Sequence, residues 1–131
     1  MKLLNTTHHP LRWVDIDLYN HVNNARYFDF LTEARAQLLA NVMEINNDWQ
    51  FILVDVQCNF RKAFTYPDTV ILKQYSEKVG SKSFTMAYEF YSLNDPDVLY
   101  AKGQAKLVCY CSKSKRAISL PDIIRNVLAI D

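Results

Sequence analysis

The chain has 131 residues, half of them hydrophobic, and fifteen Lys plus Arg against fourteen Asp plus Glu leave a formal charge of +1. That length suits one domain over residues 1–131 with a real core, and the near-neutral balance excludes a global field that would draw in nucleic acid or an anionic membrane. No stretch approaches the roughly 18 apolar residues of a membrane span, and MKLLNTTHHPLRW carries no long apolar signal core, so a soluble, cytoplasmic protein is expected.

In chain order, the leading segment with His8 and His9 reads as a tail, followed by a strand that runs into a helix near Asn24. From Asn24 to Val42, Tyr27, Leu31, Ala34, Leu38 and Val42 recur at three or four, and Phe28, Phe30 and Leu39 widen the apolar surface. Such a helix is wrapped by something. Residues 51–63 alternate, with Val54, Val56, Cys58 and Phe60 on one face, as a half-buried strand requires. Thr69–Val79, Lys82–Leu93 and Val98–Cys111 behave alike, punctuated by Tyr66-Pro67-Asp68, Gly80-Ser81 and Asn94-Asp95-Pro96-Asp97. These predict a meander of long antiparallel strands. The small face of the last one, Ala101, Gly103, Ala105, Leu107, Cys109 and Cys111, is a natural seat for the helix. Leu120-Pro121-Asp122 and then Ile123, Ile124, Val127 and Leu128 predict a short terminal helix.

A sheet of this kind leaves edge strands and an apolar outer surface, because Phe84, Met86, Tyr88 and Phe90 alternate with a face that still holds Ala87 and Tyr91. Self-association is the expectation. Three cysteines, Cys58, Cys109 and Cys111, make an odd count that reads as reduced thiols, with Cys58 and Cys111 as core candidates. No His or Cys pair has zinc-like spacing, so neither a metal nor a cofactor is expected. Without a Gly-rich phosphate loop or a Ser nucleophile elbow, nucleotide hydrolysis and serine esterase chemistry lack support.

Polar residues are densest just before the long helix: Asp15, Asp17, Asn20, His21, Asn23 and Asn24. A carboxylate a few residues ahead of a helix start sits beside unpaired amides and the positive end of the dipole, so a base and an oxyanion site become neighbours. Asp15 reads as a turn or cap residue and Asn23 as a helix cap. Glu33 and Arg35 are expected to satisfy backbone groups, or each other across a dimer.

Asp15-Ile16-Asp17, His21-Val22-Asn23-Asn24, Tyr27 and Glu33-Ala34-Arg35 together resemble the hotdog thioesterases of the 4-hydroxybenzoyl-CoA type. Supporting similarity runs through Arg61-Lys62-Ala63, Gly80-Ser81-Lys82-Ser83-Phe84 and Leu120-Pro121, nearly the whole chain. The resemblance implies an α+β hotdog fold: a long central helix wrapped by a curved antiparallel five-stranded sheet, with two subunits joined into one continuous sheet and active sites at their boundary. It implies an acyl-CoA thioesterase that releases a carboxylic acid and CoA, working as a homodimer or homotetramer. Asp17 then maps to the catalytic carboxylate, as nucleophile or general base, and the Asn24 amide to the oxyanion donor.

His21 also resembles the acyl-ACP thioesterase pattern of Asp, Asn and His at two-residue steps, although Tyr19 stands where the Asn would fall. Asn20 occupies a position where many relatives have Gly. Tyr27 is expected as a pocket wall, Lys82 with Ser83 as the place where the family puts basic residues near the nucleotide, and Arg61 and Lys62 as further carrier contacts. Two other readings stand beside acyl-CoA hydrolysis: an acyl-ACP thioesterase, and a non-catalytic hotdog module that binds an acyl thioester or a partner protein.

Overall fold

A computed structural model describes residues 1–40 and 48–129. Its first element corrects the reading of a leading tail: β1 (Lys2–Pro10) contains both His8 and His9. Thr7 and His9 alternate inward and are 3% and 4% exposed, and the strand pairs antiparallel with β3 (Thr69–Val79), from Lys2 opposite Ser76 to Pro10 opposite Thr69. A strand with buried polar residues offers little apolar alternation, which is why the pattern missed it.

β1 is the strand expected ahead of the helix, but it ends at Pro10 and does not run into the helix start. Trp13–Asp15 form one turn of 3-10 helix, and Ile16 and Val22 make an isolated antiparallel bridge around a tight loop. Then α1 (Asn24–Leu39) starts where the sequence placed it, because Asn23 is extended at φ −60°, ψ 132° and its side chain accepts the Ala25 amide at 3.0 Å. The helix is sixteen residues long, about 24 Å at 1.5 Å per residue. Val42, the last apolar residue of the expected helix, lies outside the described residues.

β2 (Trp49–Phe60), β3, β4 (Ser83–Ser92) and β5 (Asp95–Cys111) complete an antiparallel sheet in the order β1-β3-β4-β5-β2. A sixth strand, β6 (Arg116–Ala117), adds to the five expected and pairs with the end of β5. It exists because the chain reverses after Cys111, with Lys115 at φ 56° donating its amide to the Cys111 carbonyl at 2.8 Å. The final helix, α2 (Asp122–Leu128), buries Ile124 and Leu128.

α1 lies on the inner face of this sheet, where Tyr27, Phe30, Leu31, Ala34 and Leu39 join Leu72, Phe84, Met86, Tyr88, Phe90, Ala101, Ala105 and Cys109 in one core. The small-residue face of β5 has the role expected of it. A Cβ built on Gly103 would meet Leu31 of α1 at 3.5 Å, an ordinary contact, and Tyr88 at 3.3 Å, a tight one, so the residue is packed closely from both sides.

β2 departs most from its pattern. It is a sheet edge, and the register slips between Leu53 and Asp55, leaving Val54 as a bulge. Ile52, Leu53 and Val54 are 39%, 41% and 53% exposed, so the alternation does not translate into burial there. Of the cysteines, Cys109 is the fully buried one, while Cys58 and Cys111 are half-buried.

Candidate active site

The loop between β1 and α1 is pinned from below by Asp15, which is 1% exposed. Its carboxylate pairs with Arg12 at 3.1 Å and Arg26 at 2.8 Å and accepts the Arg12 amide at 2.8 Å. Burial alone would raise its pKa, but the Arg12 amide and guanidinium, with Arg26, outweigh that and hold it below the usual carboxylate value. The Asp15 carbonyl accepts the Asn23 amide at 3.0 Å, and Val22 donates to the Phe64 carbonyl at 3.2 Å. Asp15 is thus the anchor of the turn, the structural role expected of it.

Two residues on, Asp17 opens a five-residue loop that it also closes. Its amide donates to the His21 carbonyl at 2.8 Å, and its Oδ1 accepts the Tyr19 amide at 2.8 Å and the His21 amide at 3.2 Å. One carboxylate oxygen therefore holds the loop, and the other, Oδ2, is without a partner among the described residues. Asn20 sits at φ 57°, a left-handed conformation that Asn tolerates and Gly adopts without cost. Its side chain reaches the 64–67 segment, accepting the Tyr66 amide at 3.1 Å and donating to the Tyr66 carbonyl at 3.4 Å.

At the start of α1, Asn23 satisfies Ala25 through its side chain and Arg26 through its carbonyl. The Asn24 amide has no acceptor among the described residues, the usual condition of a first-turn N–H. Asp17, His21, Val22, Asn24, Tyr27, Phe60, Arg61, Lys62 and Ala63 line one cavity of about 380 Å³. A second, of about 480 Å³, lies against Asp17 with Trp13, Ile16, Leu18 and Asn20 as its other walls.

The residues singled out from sequence divide accordingly. Asp17, His21, Asn24, Tyr27, Arg61 and Lys62 come together in the first cavity. Tyr27 is 2% exposed, stacked edge-on against Phe60 with ring centroids 4.7 Å apart, and burial pushes its phenol up to about 12. It is a wall. Lys62 pairs with Asp95 at 3.1 Å and lies 5.0 Å above the Tyr100 ring. Asp95 and Tyr100 raise its pKa above the ordinary lysine value. Arg61 is less engaged, its Nε donating to Asn59 at 3.4 Å. Lys82 and Ser83 lie at the other end of the sheet. Ser83 is opposite Val108, and Val108 is opposite Ile52, eight residues from Phe60 along β2 and so roughly 27 Å away.

Glu33 and Arg35 do not pair with each other within the chain. Glu33 takes His9 Nδ1 at 3.2 Å, and Arg35 reaches Tyr88 and Thr32. Sequence reasoning passed over Phe60 and Ala63 as cavity walls. It treated Asn20 only as a departure from Gly, although an Asn between Asp17 and His21 is itself the signature of a left-handed turn.

The model of the thioesterase-like superfamily matches residues 11–128. The long-chain acyl-CoA thioesterase FadM of Escherichia coli is 27% identical over 122 residues, covering 90% of this chain and 92% of that protein. The solved structure of the PA2801 protein from Pseudomonas aeruginosa is 32% identical, with a TM-score of 0.90 over 98% of this chain and 100% of that one. A 1,4-dihydroxy-2-naphthoyl-CoA thioesterase from Synechocystis shares the fold at 18% identity, with a TM-score of 0.84 over 94% of this chain and 93% of that one. With a match across nearly the whole chain and a hotdog arrangement of helix and sheet, this chain belongs to the thioesterase-like superfamily and is a thioester hydrolase.

Proposed function

We propose that this enzyme hydrolyses an acyl-CoA thioester to a carboxylic acid and CoA in the cavity beneath the first turn of α1. The observation that carries the proposal is the Asn24 amide, which has no acceptor among the described residues and lines the same cavity as Asp17. In this reading the thioester carbonyl accepts the Asn24 N–H, and the helix dipole favours the charge that develops on its oxygen. Asp17 Oδ2 attacks the carbonyl carbon or takes a proton from the water that does so. Thiolate departure then restores the carbonyl, and in the nucleophilic route water releases the acid from an acyl-Asp17 anhydride. His21, at the exposed rim, orients water or the departing thiol. Arg61 and Lys62 meet the phosphates of the carrier.

The name of the Escherichia coli relative suggests a long acyl chain, and the apolar walls beside Asp17, Trp13, Ile16 and Leu18, suit one. We also propose that α1 is the central helix of a two-subunit hotdog assembly joined along β2. A twofold axis there runs the two β2 strands antiparallel, and the exposed Ile52, Leu53 and Val54 supply an apolar seam. Such pairing brings Lys82 and Ser83 of the partner subunit nearer the Asp17 end of the joined sheet than those of the same chain, which suits a role at the nucleotide. Three unpaired cysteines fit a reducing, cytoplasmic setting.

Thiol release from acyl-CoAs of graded length tests the reaction. Asp17→Asn should lower kcat by roughly 10² to 10⁴ with the circular dichroism spectrum unchanged. Full turnover by this variant on every thioester tried would sink the assignment.

A further inference from the structure

Asn20 holds the Asp17 loop by two separate means, and only one of them is open to glycine. Its backbone, left-handed at φ 57°, turns the chain so that the Asp17 amide reaches the His21 carbonyl at 2.8 Å while the Asn20 amide donates to the Asp17 carbonyl at 3.2 Å. Glycine adopts that turn without cost. Its carboxamide, by contrast, leaves the loop and grips both main-chain groups of Tyr66, Oδ1 accepting the amide at 3.1 Å and Nδ2 donating to the carbonyl at 3.4 Å. An amide side chain offers an acceptor and a donor together, where a carboxylate offers the acceptor alone.

What Asn20 grips is a fixed frame. Arg61 and Lys62 both donate their amides to the Tyr100 carbonyl of β5, at 2.9 and 3.0 Å, and Leu11 donates to the Asp68 carbonyl at 2.9 Å, so the run 61–68 is tied down at both ends. Between those ties Phe64 is fully buried, and the Tyr66 ring meets Trp13 edge-on with centroids 5.3 Å apart. The same run supplies Arg61, Lys62 and Ala63 to the Asp17 cavity. The width of that cavity is therefore the gap between the loop and this run, and the Asn20 carboxamide spans from one to the other. We propose that Asn20 is a positioning residue for the hydrolysis, clamping the loop to Tyr66 so that the Asp17 carboxylate stands at its working distance from the thioester carbonyl. The inference rests on the acyl-CoA reading above, and Asn20 acts through Asp17 without touching a reacting atom. A reacting carboxylate has to be held within about 0.5 Å of its productive place, so a slack clamp slows the chemical step more than it weakens substrate binding.

Thiol release from decanoyl-CoA by Asn20→Gly and Asn20→Asp tests the proposal, with backbone order parameters of the full chain as a readout that needs no substrate. Glycine keeps the turn and loses the clamp, whereas aspartate tolerates the turn and still accepts the Tyr66 amide. Asn20→Gly should lower kcat by roughly 10- to 100-fold with KM within about twofold, and Asn20→Asp should recover most of that loss. The Tyr19 and His21 amides, which hold Asp17 Oδ1, should fall from an order parameter of about 0.85 to below about 0.6 in Asn20→Gly and stay near the wild-type value in Asn20→Asp. A residue that only stabilises the fold would lower the unfolding midpoint and leave kcat of the folded enzyme as it was, and that result overturns the proposal. So does an aspartate variant no more active than the glycine variant, or a loss that falls on KM alone. A wild type that releases no thiol from any acyl-CoA strikes the acyl-CoA reading instead, and unchanged order parameters in Asn20→Gly then overturn the clamp by themselves.

Discussion

Asn20 is where one side chain carries both the shape of the Asp17 loop and its attachment to the rest of the molecule. Its left-handed backbone suits Gly, but its two bonds to Tyr66 do not survive that exchange. Asn20→Gly should therefore cost about 1 kcal/mol through the lost hydrogen bonds. Asn20→Ala should cost about 2 to 3 kcal/mol, since a Cβ without a polar group adds about 1 to 2 kcal/mol of left-handed strain. Urea unfolding of the two variants checks the order, and an alanine variant as stable as the glycine variant contradicts it. Asp17, His21 and Asn24 were readable as a group because a turn and a helix start are local events within eight residues of sequence. The division of labour in the Asp17 carboxylate was not readable, because it depends on how the loop closes on itself.

At the scale of elements, helix and sheet meet through a contact that the small residues of β5 announced. Leu31 of α1 sits over Gly103, and a side chain there would have to displace Tyr88 or lift the helix. Gly103→Val should destabilise by about 1 to 3 kcal/mol as overpacking and tilt the start of α1. Denaturation midpoints measure the first effect, and a fall in kcat larger than the stability loss explains would report the second. β3 was readable to its ends because Val70 and Leu72 alternate inward and the turn residues Tyr66-Pro67-Asp68 and Gly80-Ser81 bound it. β2 was not, since the bulge at Val54 and its place at the sheet edge override the period-two pattern, and β1 hides because its inward residues include Thr7 and His9.

For the whole molecule, the proposed β2 seam makes assembly and activity inseparable. Val54→Lys puts a charge in the middle of that seam, at a bulge exposed in the single chain, so the fold should persist while association fails. Light scattering should then report the 15.3 kDa chain rather than a multiple of it, with acyl-CoA turnover reduced at least tenfold. A variant that remains associated, or that dissociates with full activity, removes the shared site.

What the sequence determined by itself was local in origin: the alternation of β3, β4 and β5, the apolar face of α1 with its Asn23 cap, and the Asp17-to-Asn24 segment that carries the family resemblance. These follow from side-chain periods of 2 and 3.6 and from capping chemistry that acts within a few residues. Only the tertiary structure decided that Phe60–Ala63 close the Asp17 cavity and that Lys82 and Ser83 stand at the far end of the sheet. It alone decided that the Asn20 carboxamide grips the Tyr66 backbone. Those outcomes depend on strand order and register, in which residues some forty to sixty positions apart become neighbours through hydrogen-bonded pairing that no local pattern records.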